Sequence, residues 1–302
     1  MKKIILSVFS MVLVSTMLMA QADTTWKKGA VLSVNFNQVG LTNWAGGGSN
    51  TIAGNTILSA FANYQKGKWT WENNGILAYG LTKIDKGDIQ KSDDRIDLNS
   101  KLGYAITPKW YLTYMMNFRS QMDNGYDYNT ITGIGGDGTP KYLITSKFLA
   151  PAFWTNSIGI DYKPNDHFSA YISPVASKIT IVAADDKDIS HVAYGVEVNK
   201  NLRSEFGALA VLKYQQDIMK NIKLQTKLEL FSNYIDNPQN VDVNWEVLLA
   251  MKVNKYISAT LATQLLYDDN IAVPKDDGNK GTYFGKGYQF KEAFGVGFSY
   301  NF

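Results

Sequence analysis

Charged side chains of both signs recur on one face of this chain wherever its residues alternate. Glu72, Asp93, Arg95, Asp97, Lys101, Arg119, Arg203, Glu205, Lys213, Lys223, Lys227, Glu229, Asp242, Glu246 and Lys252 share that face when each segment is read with a period of two. Facing one another across a narrow interior, such groups either line a wet channel for a small polar solute or pair and fill it as a neutralised network. A third chemistry, hydrolysis of membrane lipid, needs a histidine beside an activated nucleophile. The histidines are His167 and His191, and Ser190 would point away from His191 on a strand, so no credible catalytic set follows. Neither histidine has metal-ligating residues at close spacing, and no metal or other cofactor is implied. The run Gly133-Ile134-Gly135-Gly136-Asp137-Gly138 spells a dinucleotide-binding motif, but no helix pattern follows it, so it reads as a flexible loop. Asp185-Asp186-Lys187-Asp188 and Asp276-Asp277-Gly278 read as solvated loop tips, with calcium or cation-bridged lipopolysaccharide as the alternative.

The elements that must position these charges are strands. The last stretch, Ala293 to Phe302, sets large apolar or aromatic residues at even positions and Ala, Gly, Ser and Asn at odd ones. As a free edge this strand would be an aggregation hazard. As the closing strand of a barrel it is paired on both sides, with its apolar face in lipid. Tyr300 and the terminal Phe302 also resemble the signal read by bacterial barrel-assembly machinery. The same alternation marks strands at 30–37, 55–64, 69–81, 93–104, 110–121, 147–162, 167–182, 202–214, 221–233, 241–253, 257–267 and 290–302. Tight connections near Gly67, Pro108, Pro164, Asp217 and Asn254 alternate with longer ones near 39–50, 83–91, 122–145, 183–200, 235–240 and 268–289. Strict alternation of short and long is the habit of outer-membrane barrels, whose short turns and N-terminus lie on the periplasmic side. The reading is therefore all-β: a single closed antiparallel up-and-down transmembrane β-barrel of about twelve strands. Trp69, Trp71, Trp110, Tyr162, Tyr214 and Tyr256 fall at the periplasmic ends and Tyr79, Tyr234 and Tyr267 toward the outer ends, as two interfacial girdles require. Pro151 and Pro174 fall inside expected strands and call for bulges or shifted boundaries.

Export is expected as well. Lys2 and Lys3 precede an apolar run to Met19, and Ala20-Gln21-Ala22 gives a small-x-small cleavage site, so residues 1–22 read as a signal peptide and 23–302 as the barrel. Without Lys2 and Lys3 the net charge falls from +3 to +1, which implies no nucleic-acid partner. Cysteine is absent, so disulfides and thiol chemistry do not arise. A mean hydropathy of -0.19 is compatible with lipid contact because every second barrel residue faces inward.

Six runs carry a resemblance: Trp71-Glu72-Asn73-Asn74, Ser92-Asp93-Asp94-Arg95, Asn117-Phe118-Arg119-Ser120-Gln121, Ser146-Lys147-Phe148-Leu149-Ala150-Pro151, Leu230-Phe231-Ser232-Asn233-Tyr234 and Asp242-Val243-Asn244-Trp245-Glu246. With them the chain resembles the domain-of-unknown-function 3078 family of exported bacterial proteins, which implies an outer-membrane barrel and carries no established activity. The expected role is a narrow channel or transporter for a small polar solute. The alternatives are a structural or partner-binding barrel with a filled lumen and, third, a lipid hydrolase. Expected partners are outer-membrane lipid, lipopolysaccharide and the barrel-assembly machinery. Charge also suggests a register for strands 202–214 and 221–233, with Arg203 opposite Glu229 and Glu205 opposite Lys227 on the lumen face.

Overall fold

The computed structural model describes residues 25–40, 49–136, 138–185, 189–254, 256–276 and 282–301; the expected signal peptide and Phe302 lie outside them. The strands are β1 (Trp26–Val39), β2 (Thr51–Lys66), β3 (Trp69–Ile84), β4 (Ile89–Ala105), β5 (Trp110–Ser120), β6 (Gly125–Ile134), β7 (Pro140–Ser146), β8 (Ala152–Tyr162), β9 (Phe168–Ile181), β10 (Leu202–Met219), β11 (Ile222–Asn233), β12 (Val241–Lys252), β13 (Ile257–Asp276) and β14 (Thr282–Asn301). All but β6 and β7 close into one antiparallel barrel of twelve strands in the order β1-β14-β13-β12-β11-β10-β9-β8-β5-β4-β3-β2. Closure is made by β1 and β14, in register from Val31 opposite Asn301 to Asn35 opposite Gly297. Tyr300 thus lies in the closing strand, with its backbone opposite Leu32. No strand edge remains in the barrel wall, which is what a sheet in lipid requires.

Each strand alternates because its two faces meet different surroundings. The outer face leaves Leu98, Leu102, Leu112, Trp154, Ile172, Phe206, Trp245, Phe294 and Phe298 exposed around the wall. Aromatic rings meet along the rim that carries the short turns. Trp26 lies 5.2 Å from Tyr64 and 6.0 Å from Trp71, Trp69 lies 5.0 Å from Tyr104, Trp110 lies 4.4 Å from Tyr162, and Tyr256 stacks on Phe298 at 5.5 Å. At the other rim Phe206 meets Tyr234 at 6.0 Å.

The connections alternate as expected, with three differences. The 122–145 segment is not irregular: β6 and β7 form a separate hairpin within it. Most of 268–289 is strand, because β13 and β14 run on past the wall as far as Asp276 and Thr282. Asp217 lies inside β10, whose turn is the Lys220-Asn221 pair that separates it from β11. The prolines resolve in two ways. Pro151 precedes β8, which begins at Ala152, so its missing N–H costs no ladder bond. Pro174 sits in a bulge where β9 shifts register against both β8 and β10. There the Ser173 hydroxyl donates to the Ile158 carbonyl (2.7 Å) and accepts from the Val175 N–H (3.3 Å), filling the gap in the ladder.

The seam itself is tight. A Cβ on Gly297 would overlap the Val34 carbonyl oxygen and the Asn35 side chain. Gly297→Val should therefore lower barrel stability by about 1–3 kcal/mol, as overpacking does. Urea unfolding followed by tryptophan fluorescence checks this, with Gly133→Ala, whose Cβ would meet open space, expected to be neutral.

Candidate functional site: the barrel lumen

Strands that are not neighbours can touch only through the interior, so contacts between them map the lumen. Arg119 of β5 donates from Nη2 to Glu229 of β11 at 2.7 Å, although β8, β9 and β10 separate those strands along the wall. Its Nε donates to Asn117 Oδ1 (2.9 Å), and Asn117 Nδ2 donates to Asp97 Oδ1 (2.9 Å). Asp97 lies directly opposite Arg119, and Lys227 reaches Glu229 at 3.1 Å, so one guanidinium and one ammonium face two carboxylates. Towards the short turns, Lys101 pairs with Asp161 at 2.7 Å, and Lys163 contacts Asp161 (3.3 Å) and Glu72. Towards the long connections, Lys178 of β9 holds Asp242 of β12 and Asp268 of β13, each at 2.6 Å, while Arg203 meets Glu205 at 3.0 Å.

Apolar groups complete this filling. Met115, Tyr171, Ala176, Leu209, Val211 and Phe231 form one buried cluster. The Tyr171 ring lies 5.0 Å beneath Lys101 Nζ and the Phe231 ring 5.5 Å beneath Lys178 Nζ, so the ion-paired layers rest on aromatic faces. Above them the described parts of the 182–201 connection, 182–185 and 189–201, cap the mouth beside Arg203 and Asn270. Val182, Ile189 and Val196 pack with Ala150 in a second cluster, and a Cβ at Gly195, whose φ is 68°, would overlap Arg203 and the Asn270 carbonyl. His191 is buried in this cap, with Nδ1 2.7 Å from the Lys200 oxygen and Nε2 2.8 Å from the Ala184 oxygen. It is a structural residue there.

The lumen is filled on one side only. Inward residues of β5, β8, β9 and β10, among them Thr113, Asn117, Ser157 and Leu209, are buried. Inward residues of the opposite wall, such as Asn35, Asn55, Phe61, Gln264 and Ala293, are half-buried or exposed. That wall is also lined by small groups, with Ala293, Gly295 and Gly297 successive on the inner face of β14. Among the described residues one ion pair crosses the open side: Lys291 of β14 reaches Asp93 of β4 at 2.6 Å, with Lys291 54% exposed.

All fifteen charges expected on the inner face take inward positions in the register, including Arg95 opposite Ala78 and Glu246 opposite Lys227. The pairing expected between β10 and β11 does not form. Glu229 lies opposite Val211 and Lys227 opposite Lys213, while Arg203 lies beside Thr180 of β9. The two-residue turn at Lys220-Asn221 sets this register, and it offsets the strands by more than local charge pairing could recover. Asp161, Lys163, Lys178, Asp268 and Lys291 were missed by the pattern. Lys178 was hidden by the bulge at Pro174, which moves the inward positions from odd to even along β9. Asp161 alternates with Ser157 and Gly159, a signal that was legible but weak.

The profile of the family described as "Protein of unknown function (DUF3078)" matches residues 36–126. The runs at 71–74, 92–95 and 117–121 lie inside that segment and the other three beyond it. No curated protein matches the chain. Among solved structures, it is similar to the translocator domain of the autotransporter NalP from Neisseria meningitidis (10% identity, 98% of this chain and 95% of that one, TM-score 0.39). It is similar also to an outer membrane channel from Pseudomonas putida F1 (10% identity, 94% and 100%, TM-score 0.41) and to the toluene transporter TodX of P. putida (14% identity, 94% and 80%, TM-score 0.35). Scores this low leave the fold resting on the strand ladder itself.

Truncating Arg119 would leave Glu229 charged in the filled half with only Lys227 beside it. Arg119→Ala should cost about 3–5 kcal/mol, and adding Glu229→Gln should restore much of the loss by removing the orphaned charge. Urea midpoints of the two single variants and the double variant measure the coupling.

Proposed function

We propose that this chain is a bacterial outer-membrane barrel that conducts small, uncharged polar solutes through an off-axis passage along β13, β14, β1 and β2. Placement in a membrane is supported by the apolar outer face bounded by aromatic rims, because a soluble protein does not expose contiguous apolar surface on this scale. The observation that carries conduction is the division of the lumen. Inward residues of β5, β8, β9 and β10 are packed away, while Asn35, Asn55, Gln264 and Gln289 on the other wall stay accessible to solvent. Amides without net charge suit a polar, neutral cargo. The Lys291–Asp93 pair spans this passage and narrows it.

A second reading, a structural or partner-binding barrel with a sealed lumen, draws on the cross-lumen pairs at Arg119 and Lys178. A lipid-hydrolase role finds little support, since His191 is committed to two backbone carbonyls and His167 sits by a short turn with Nδ1 at the Gln215 oxygen. Residues 1–22 would direct export, Tyr300 and Phe302 would present the assembly signal, and lipid and lipopolysaccharide would surround the finished barrel.

In planar bilayers the wild-type barrel should conduct weakly. Asp93→Ala with Lys291→Ala should raise conductance, and Ala262→Trp with Ala293→Trp, which face each other on the open wall, should reduce it. Silence of both the wild type and the Asp93/Lys291 variant would establish the sealed reading instead. A tag inserted at Gly136 should be labelled on intact cells; labelling only after permeabilisation would reverse the orientation.

A further inference from the structure

The β6–β7 hairpin stands clear of the wall, yet it is held firmly. Asp94 of β4 accepts the N–H groups of Met122 (2.8 Å) and Asp123 (2.9 Å) at the hairpin root. Lys91 pairs with Asp94 at 2.7 Å and donates to the Asp123 carbonyl at 2.8 Å. Two tyrosines tie the hairpin to the same region: Tyr142 donates to Asp88 Oδ2 (2.8 Å), and the Tyr128 hydroxyl oxygen accepts the Lys91 N–H (3.1 Å). The Asp88 hydrogen bond raises the Tyr142 pKa above its ordinary value. Between hairpin and rim lies a groove of about 550 Å³, lined by Tyr126, Tyr128 and Tyr142 together with Asp88, Thr132 and Lys141.

The ring geometry is specific. Tyr126 and Tyr128 are 5.9 Å apart and tilted by 53°, and Tyr128 and Tyr142 are 5.1 Å apart at 62°. Rings that meet at an angle do not cover one another's faces, and the Tyr128 and Tyr142 hydroxyls are tied back toward the barrel. The groove therefore offers aromatic surface bordered by a carboxylate, an ammonium and a threonine hydroxyl. A pyranose ring has the complementary make-up: a patch of C–H groups on its face and hydroxyls around its edge. One Asp against one Lys leaves no charge excess, which disfavours phosphate or acidic sugars. A peptide adding as a strand would need a regular edge, and this hairpin breaks register three times, between Gly125 and Tyr126, Asp127 and Ile131, and Ile131 and Gly133.

We infer that the groove between the β6–β7 hairpin and the rim at Asp88 is a binding site for neutral oligosaccharide. The site depends on the long connections facing outside the cell and on nothing about conduction. The glycan could be the cell's own O-polysaccharide or a free environmental one, and the two share this chemistry.

The test is calorimetric titration of the whole folded chain in detergent with lipopolysaccharide-derived neutral O-polysaccharide, maltohexaose and laminarihexaose. Saturable binding of at least one is expected; O-polysaccharide alone points to the cell surface, and either hexaose to a free glycan. Tyr126→Ala and Tyr142→Ala should each weaken binding about tenfold, the loss of one ring contact. Tyr142→Phe, which keeps the ring, and Leu143→Ala, on the other face of the same strand, should bind nearly as the wild type does. Lys291→Ala should leave binding unchanged whatever it does to conductance. No saturable binding, binding indifferent to both tyrosine-to-alanine variants, or equal loss in Leu143→Ala would overturn the assignment. So would tyrosine-dependent binding of an extended peptide with no glycan bound.

Discussion

Arg119 meets Glu229 at 2.7 Å across a lumen that the wall itself spans only through three intervening strands. A guanidinium withdrawn from water needs a partner of opposite sign with good geometry, or it costs several kcal/mol. Some adjacent inward positions do carry opposite charges, as Arg119 with Asp97 and Lys227 with Glu246, but Glu229 faces only Val211 on one side and Asn244 on the other. Part of the neutralisation, that of Glu229 by Arg119, therefore runs across the interior. Within the register that the turns set, that demand decides which side chains meet across the lumen. The same logic repeats where Lys178 gathers Asp242 and Asp268 and where Lys101 takes Asp161.

Periodicity made much of the architecture legible. Alternation at Asp93, Arg95, Asp97 and Lys101 on one face, and at Phe294, Val296 and Phe298 on another, follows from a pleat with an apolar face outside and charge inside. Closure by β14 against β1 was legible for the same reason, because an apolar face that large needs both edges paired. Partner identity was not. Arg203 with Glu229 looked favourable as a local pair, but the turn at Lys220-Asn221 carries no strong turn signature, and the polar run Gln215-Gln216-Asp217 before it reads as loop while being strand. A one-dimensional pattern shows that a residue faces inward. It does not show which of the other strands it will meet there.

Two further gaps have the same origin. The β6–β7 hairpin lies off the wall with irregular register, so neither lipid nor lumen imposes a period of two upon it. Lys178 follows a bulge, and parity counted from the start of β9 assigns it to the wrong face. In both places the departure from alternation is itself informative. A bulge re-aims the cation into an acidic cluster, and the free hairpin brings three tyrosines together over the rim.

The off-axis position of the proposed passage follows from residue volume more than from strand number. Twelve strands enclose an interior that bulky side chains could fill all round. On β10 they do, with Leu209, Val211 and Lys213 successive on the inner face. On β14 the large residues Phe290, Phe294 and Phe298 are spent on the outer face, which leaves Ala293, Gly295 and Gly297 inside. The closing strand thus turns its bulk outward, toward lipid on the proposed reading, with the same alternation that leaves space in the lumen. Gly295 and Gly297 also let the Asn35 side chain lie close against the seam instead of projecting into that space, and Asn35 donates to Asn55 Oδ1 at 2.8 Å. Closure and the proposed passage draw on one sequence pattern, so enlarging Gly295 or Gly297, which abut Asn35, would strain the seam, whereas Ala293 lies beyond the residues paired with β1.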